Sequence, residues 1–284
     1  MNKIIAASEL PLNNDGSIYH LNLLPEDIAE SIFLVGDPER VPRVSNFFDT
    51  IEIQKSKREF VTHTGTKNGK RFTVISTGIG TDNIDIVLTE LDALVNIDLE
   101  TRQIKENKTK LRLIRLGTSG SVNPEIDAGS FVKSRYSTGF DGLMQFYPAH
   151  KDADFRDDFI KNFPYSNLLP LLYFSECNPD LFSHFDQGFV AGNTGSLSGF
   201  YGPQGREVRL HAMDPVFLDR LHQCGLDNFE METSAIYALA SLLGHDALSL
   251  NCIIANRTTG KFLDDYKSHV DQMIETALEM ATTQ

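Results

Sequence analysis

The chain predicts an α/β fold of three layers, a single domain over residues 1–284 with a central mixed, largely parallel sheet flanked by helices. Short β-branched apolar runs alternate with stretches of helical periodicity, and several of those runs lack polar alternation, as strands buried on both faces do. No internal repeat, low-complexity tract or linker divides the 284 residues, although length alone permits one large domain or two smaller ones.

The elements follow in order. Strands are expected at Ser31 to Val35, Phe72 to Ser76, Leu111 to Leu116, Phe189 to Ala191 and Leu248 to Ala255. Ile51 to Ile53 and Glu59 to Thr66 alternate polar and apolar residues. With Phe72 to Ser76, joined through Asn68-Gly69, they form a local antiparallel element. Helices are expected at Asn83 to Ile97, Met231 to Leu243 and Asp264 to Ala281. In the last of these, Val270, Met273, Ile274, Ala277, Leu278 and Ala281 fall on one face, which is core or subunit contact.

Composition narrows the function. A hydrophobic content of 41% and a charged content of 23% describe an ordinary globular chain. The formal net charge of −13 repels phosphate backbones, which excludes nucleic acid as a natural partner. No apolar run approaches the ~20 residues of a membrane span. The apolar patch Ile4 to Ala7 is too short for a secretory core, so a cytoplasmic protein is expected. Cys177, Cys224 and Cys252 are far apart and lack metal-site spacing, so no metal is required of them.

Several segments carry chemistry. Gly36-Asp37-Pro38-Glu39-Arg40 follows a strand, with Asp37 suited to cap a helix and Pro38 to its first turn. Arg115 lies in an apolar strand, where an unpaired charge is very unfavourable, so it needs a carboxylate or a phosphate. Gly117 and Gly120 after it open the backbone, and Thr118 and Ser119 supply hydroxyls, at the strand end where α/β ligands bind. Ser76-Thr77-Gly78-Ile79-Gly80 is a second strand exit able to form an anion nest. The dinucleotide and Walker patterns are absent. Phe200, Gln204 and Arg206 place a ring, a carboxamide and a guanidinium in one Gly/Pro loop, a set matching the face and edge of uracil. Glu230-Met231-Glu232 offers carboxylates for a vicinal diol beside a pliable apolar wall. Asn256-Arg257 sets one more cation at a strand terminus. Arg58-Glu59 alone reads as a solvated pair.

Seven of these motifs occur in the order found in the nucleoside phosphorylase-I family. Gly-Asp-Pro-x-Arg, Arg-Glu-Phe, Ser-Thr-Gly-Ile-Gly, Arg-x-Gly-Thr-x-Gly, Phe-Tyr-x2-Gln-x-Arg, Glu-Met-Glu and Asn-Arg together resemble its uridine-cleaving branch from about His20 to the end. The resemblance implies reversible phosphorolysis of uridine to uracil and ribose 1-phosphate. Inorganic phosphate would be the co-substrate, with no organic cofactor. It implies phosphate binding by Gly36, Arg40, Arg115 and Thr118, with Arg58 from a neighbouring subunit. Ribose would meet Met231, Glu232 and the neighbour's His20. Uracil would meet Phe200, Gln204 and Arg206, and the catalytic work would fall to Arg206, Gln204 and Arg115. Sites would be shared across a dimer interface, with dimers commonly assembled as hexamers. Glu59 matches a position that in some relatives helps hold a monovalent cation, such as K+, at that interface.

Purine members of the family carry an Asp after the late strand, where this chain has Asn256-Arg257. Hydrolytic relatives lack the phosphate-binding arginines. A purine phosphorylase, a nucleosidase and a non-catalytic nucleoside-binding protein are the competing readings. Departures from the family pattern are Thr81-Asp82-Asn83 after Gly80, where Asp82 either caps a helix or crowds the phosphate turn, and the Gly202-Pro203 order. The long stretch from Tyr136 to Asp186 has no role assigned from sequence.

Overall fold

The computed structural model describes residues 4–148 and 151–283. Its strands are β1 Ser31–Val35, β2 Thr50–Lys57, β3 Phe60–Lys67, β4 Lys70–Ser76, β5 Ile97–Asp98, β6 Gln103–Ile104, β7 Arg112–Ser121, β8 Phe131–Gly139, β9 Tyr173–Glu176, β10 Val190–Ser196, β11 Asn228–Glu230, β12 Asp246–Asn256 and β13 Lys261–Phe262. Its α-helices are α1 Arg40–Ser45, α2 Thr81–Asn96, α3 Phe155–Asn162, α4 Pro179–His184, α5 Phe217–Gln223, α6 Thr233–Leu243 and α7 Tyr266–Thr282.

The main sheet is mixed. β1 pairs in parallel with β4 and β7, β7 with β12, and β10 with β8 and β11. Antiparallel pairs attach β2, β3, β9 and β13 at the margins and link β11 to β7 and β12 to β8. The pairings β7–β12–β8–β10–β11–β7 return to their start, so the sheet closes into a small barrel. β1, β4, β3 and β2 extend from it as an open arm. Closure removes the exposed edges that β7 and β12 would otherwise present. A bulge between Ile253 and Ala255 lets β12 bend as it turns past β7.

The β3–β4 hairpin turns on Asn68 (φ 50°) and Gly69 (φ 75°), the two left-handed residues a tight hairpin of this twist requires. The apolar face of α7 is core: Val270, Met273, Ile274 and Ala277 are fully buried, on β7 and β12. α6 packs against α2 and against β8, β9, β10 and β12. The stretch from Tyr136 to Asp186 becomes the end of β8, α3, β9 and α4. It contributes Phe140, Phe159, Phe163 and Phe174 to an aromatic core of its own with Phe217 and Phe229.

Two local expectations change. β7 does not end at Leu116: Gly117 to Ser121 stay in the strand, paired with β12, so Arg115 is mid-strand rather than near a terminus. The glycines open space there instead of ending the strand. A Cβ on Gly117 would lie 1.4 Å from Arg115 Nη1, so only glycine lets the guanidinium fold back over its own strand. Asp37 does not cap a helix, since α1 starts at Arg40. Asp37 instead accepts the N–H of Glu39 at 2.9 Å and shapes the preceding turn.

Candidate active site

One cavity of about 980 Å³ gathers strand exits and loops from across the chain. Gly36 and Arg40 come from the β1–α1 turn, and Thr118 and Arg115 from β7. Phe200, Gln204 and Arg206 come from the loop after β10, and Met231 and Glu232 from the β11–α6 junction. Glu59, Gly78 and Asn83 complete one wall. The cavity thus brings together Gly36, Arg40, Arg115, Thr118, Phe200, Gln204, Arg206, Met231, Glu232 and Glu59. Arg58 and His20 lie outside it. Arg58 is exposed at the β2–β3 turn with a left-handed backbone (φ 55°). His20 is held by Glu90, its Nδ1 2.6 Å from Oε1.

Arg40 is buried, and its Nη1 donates to Leu116 O at 3.2 Å. Its Nε has no hydrogen-bond partner among the described residues. Burial, and then the positive charge of Arg115, pull its pKa down to about 10. An anion between the two guanidiniums would relieve that repulsion and satisfy the orphan donor.

Arg115 takes the carboxylate option that its sequence context left open. Its Nη2 lies 2.5 Å from Glu232 Oε2 and 3.1 Å from Glu230 Oε2, and its Nη1 donates to Asn251 Oδ1 at 2.8 Å. Burial opposes its charge, but the two carboxylates prevail and hold its pKa above the ordinary arginine value. The nest at the β4 exit also has an anion, Glu232 itself, whose Oε1 accepts from Gly80 N at 2.7 Å. Burial keeps the Glu232 pKa above the ordinary carboxylate value, against the pull of Arg115. Asp82 sits exposed in the first turn of α2, makes no side-chain cap and does not line the cavity.

At the other end, Gln204 is buried while Phe200 is half exposed. The Arg206 guanidinium stacks 3.7 Å from the Phe200 ring centroid, and its Nη1 donates to Phe200 O at 2.8 Å and to Gln204 Oε1. Arg206 thereby links Phe200 to Gln204. Arg257, singled out in the sequence only as a cation at a strand end, lines this end too and donates to Gln204 O at 3.4 Å. Burial and Arg257 lower the Arg206 pKa. Asn256 is taken up by the main chain: its Nδ2 donates to Asn123 O and Ile126 O, and its Oδ1 accepts from Thr258 N and Thr259 N.

Sequence reasoning missed Asn251 and the work of Glu230. Both act through contacts more than a hundred residues distant in the chain, which no local pattern marks. Among the described residues no group of three or more His, Cys, Asp or Glu side chains is placed to hold a metal ion. No helix among the described residues is long and apolar enough to cross a membrane.

Residues 30–283 match the family model described as the phosphorylase superfamily. A uridine phosphorylase of Thermococcus kodakarensis is 31% identical over 265 residues, covering 90% of this chain and 83% of that protein. A DeoD-type purine nucleoside phosphorylase of Bacillus cytotoxicus is 27% identical over 270 residues, covering 93% and 99%. Among solved structures, a Trypanosoma brucei nucleoside phosphorylase, described as showing uridine phosphorylase activity, superposes with a TM-score of 0.88. It is 29% identical, over 97% of this chain and 100% of that one. With the family model covering nearly the whole fold, the chain belongs to the phosphorylase superfamily, in its nucleoside phosphorylase-I branch, and is a pentosyltransferase.

Proposed function

We propose that the whole chain works as one nucleoside phosphorylase-like domain that cleaves uridine with phosphate, reversibly, to uracil and ribose 1-phosphate. The observation carrying the proposal is the single cavity that joins a cationic end, with the unpartnered Nε of Arg40, to an end built from Phe200, Gln204 and Arg206. Phosphate would bind at Arg40, Arg115, Gly36 and Thr118, and ribose beside Met231 with its hydroxyls on Glu232. The base would lie against Phe200.

The chemistry follows from charge. As the C1′–N1 bond breaks, its electron pair passes to uracil and the sugar becomes oxocarbenium-like. Arg206 and Gln204 meet the negative charge growing on the base, as donors already in position. The phosphate anion stabilises the sugar cation and then bonds to C1′. No enzyme nucleophile is needed.

The subunit arrangement belongs to the same proposal. His20 and Arg58 lie outside this chain's own cavity, so their roles toward ribose and phosphate require a second copy. Pairing into dimers, built up to a hexamer, would supply them. The three cysteines are unpaired and buried, in keeping with a reducing cytoplasm.

Purine relatives favour a second reading, a purine nucleoside phosphorylase. Against it, Asn256 is fully engaged by backbone groups. Arg257 beside it lines the cavity, so this strand end presents a guanidinium and no carboxylic acid that could protonate a purine base. Incubation with uridine, inosine and methylthioadenosine, with and without phosphate, tests the proposal. Uracil release that depends on phosphate is expected. Base release without phosphate, or a preference for inosine, would refute it.

A further inference from the structure

We propose that Glu230 is a positioning residue: a fixed buried counter-charge that anchors Arg115 for phosphate and leaves Glu232 free to turn to the ribose. This inference rests on the phosphorylase reading of the site.

The two carboxylates differ in how they are used. A carboxylate has about four acceptor directions. Those of Glu230 are filled from within the protein. It accepts from Ser196 Oγ at 2.6 Å, from Glu232 N at 3.0 Å and from Thr233 N, shared between its two oxygens at 3.1 and 3.0 Å, and its Oε2 is ion-paired with Arg115 Nη2 at 3.1 Å. It thereby ties β10, β7 and the first free N–H groups of α6 together, and its charge suits that helix end. Its side chain is 2% exposed. No lone pair remains for a sugar hydroxyl.

Glu232 has two donors, Arg115 Nη2 at 2.5 Å and Gly80 N at 2.7 Å, and so keeps acceptor directions open to the cavity. A ribose diol binding there competes with Arg115 for the same carboxylate. Were Glu232 the guanidinium's one charged partner, each arriving nucleoside would leave Arg115 buried and loosely held. Glu230, whose oxygens are committed to Ser196 and to the main chain of Glu232 and Thr233, and Asn251 Oδ1 stay on it when ribose arrives. Breaking one partner of a buried charge cluster is strongly unfavourable, so a partner that never leaves has a definite use.

The test is phosphate binding without nucleoside, by calorimetry on the full chain, in wild type, Glu230→Gln and Glu232→Gln. The expected result is a phosphate Kd weakened about tenfold or more in Glu230→Gln and changed less than about threefold in Glu232→Gln. For uridine, KM and kcat should deteriorate chiefly in Glu232→Gln. Equal phosphate affinity in wild type and Glu230→Gln overturns the inference alone. Should Glu230→Gln fail to fold, Glu232→Gln still decides, since a tenfold loss of phosphate affinity there would mean that Glu230 does not hold Arg115. A wild type that binds no phosphate overturns the phosphorylase reading itself.

Discussion

Replacing Arg206 by alanine removes a charged donor at the proposed base end of the cavity and three contacts that order that loop. The guanidinium lies 3.7 Å from the Phe200 ring centroid, an interaction at a half-exposed ring that contributes about 0.5–1 kcal/mol. Losing it, with the bond to Phe200 O, loosens the ring and should raise the uridine KM about two- to fivefold. The larger effect is on the chemical step. A preorganised donor to a developing anion is worth about 2.7–4 kcal/mol, so kcat should fall about 100- to 1000-fold. The assay is steady-state phosphorolysis of uridine and of 5-fluorouridine, whose base is a better leaving group. The loss in Arg206→Ala should be smaller for 5-fluorouridine, because its departing anion needs less help. A kcat loss below about tenfold, or an equal loss for both nucleosides, would refute the view that Arg206 stabilises the leaving base.

Three other perturbations follow from the geometry. Gly117→Ala puts a methyl where Arg115 Nη1 now lies, 1.4 Å away; the folded variant should lose about tenfold or more in phosphate affinity, measured by calorimetry. In the proposed function Glu232 accepts two ribose hydroxyls as a carboxylate, and burial raises its pKa, so kcat/KM should fall with decreasing pH before ordinary carboxylates titrate. Residual activity of Glu232→Gln should lack that acid limb. Mixing the inactive variants Arg58→Ala and Arg206→Ala under conditions of subunit exchange should restore roughly a quarter of wild-type activity, because half of the dimers carry one intact site. No recovery would mean that Arg58 does not cross to a neighbour.

The sequence was most informative where local chemistry dictates structure. Asn68-Gly69 marked a hairpin because both residues accept positive φ, and the α7 stripe marked a core face because its apolar spacing is helical. Arg115 could be recognised as needing an anion, because a lone charge among Leu113, Ile114 and Leu116 is untenable. Which anion it meets was not legible, since Glu230 and Glu232 reach it only through the closing of the sheet. β8 went unread for a similar reason. Its buried Lys133 breaks the apolar pattern and is tolerated because Asp186 accepts from Nζ at 2.7 Å over the Phe182 ring. β11 is three residues long, too short to show periodicity. The base loop was readable because Phe200, Gln204 and Arg206 are close in sequence and meet one another in space.

The most direct measurement is a crystal structure of the protein soaked with phosphate and uracil. Phosphate should lie within hydrogen-bond distance of Arg40 Nε and Arg115, with uracil against Phe200 and its carbonyl edge on Gln204 and Arg206. Phosphate bound away from Arg40, or uracil outside the cavity, would contradict the account.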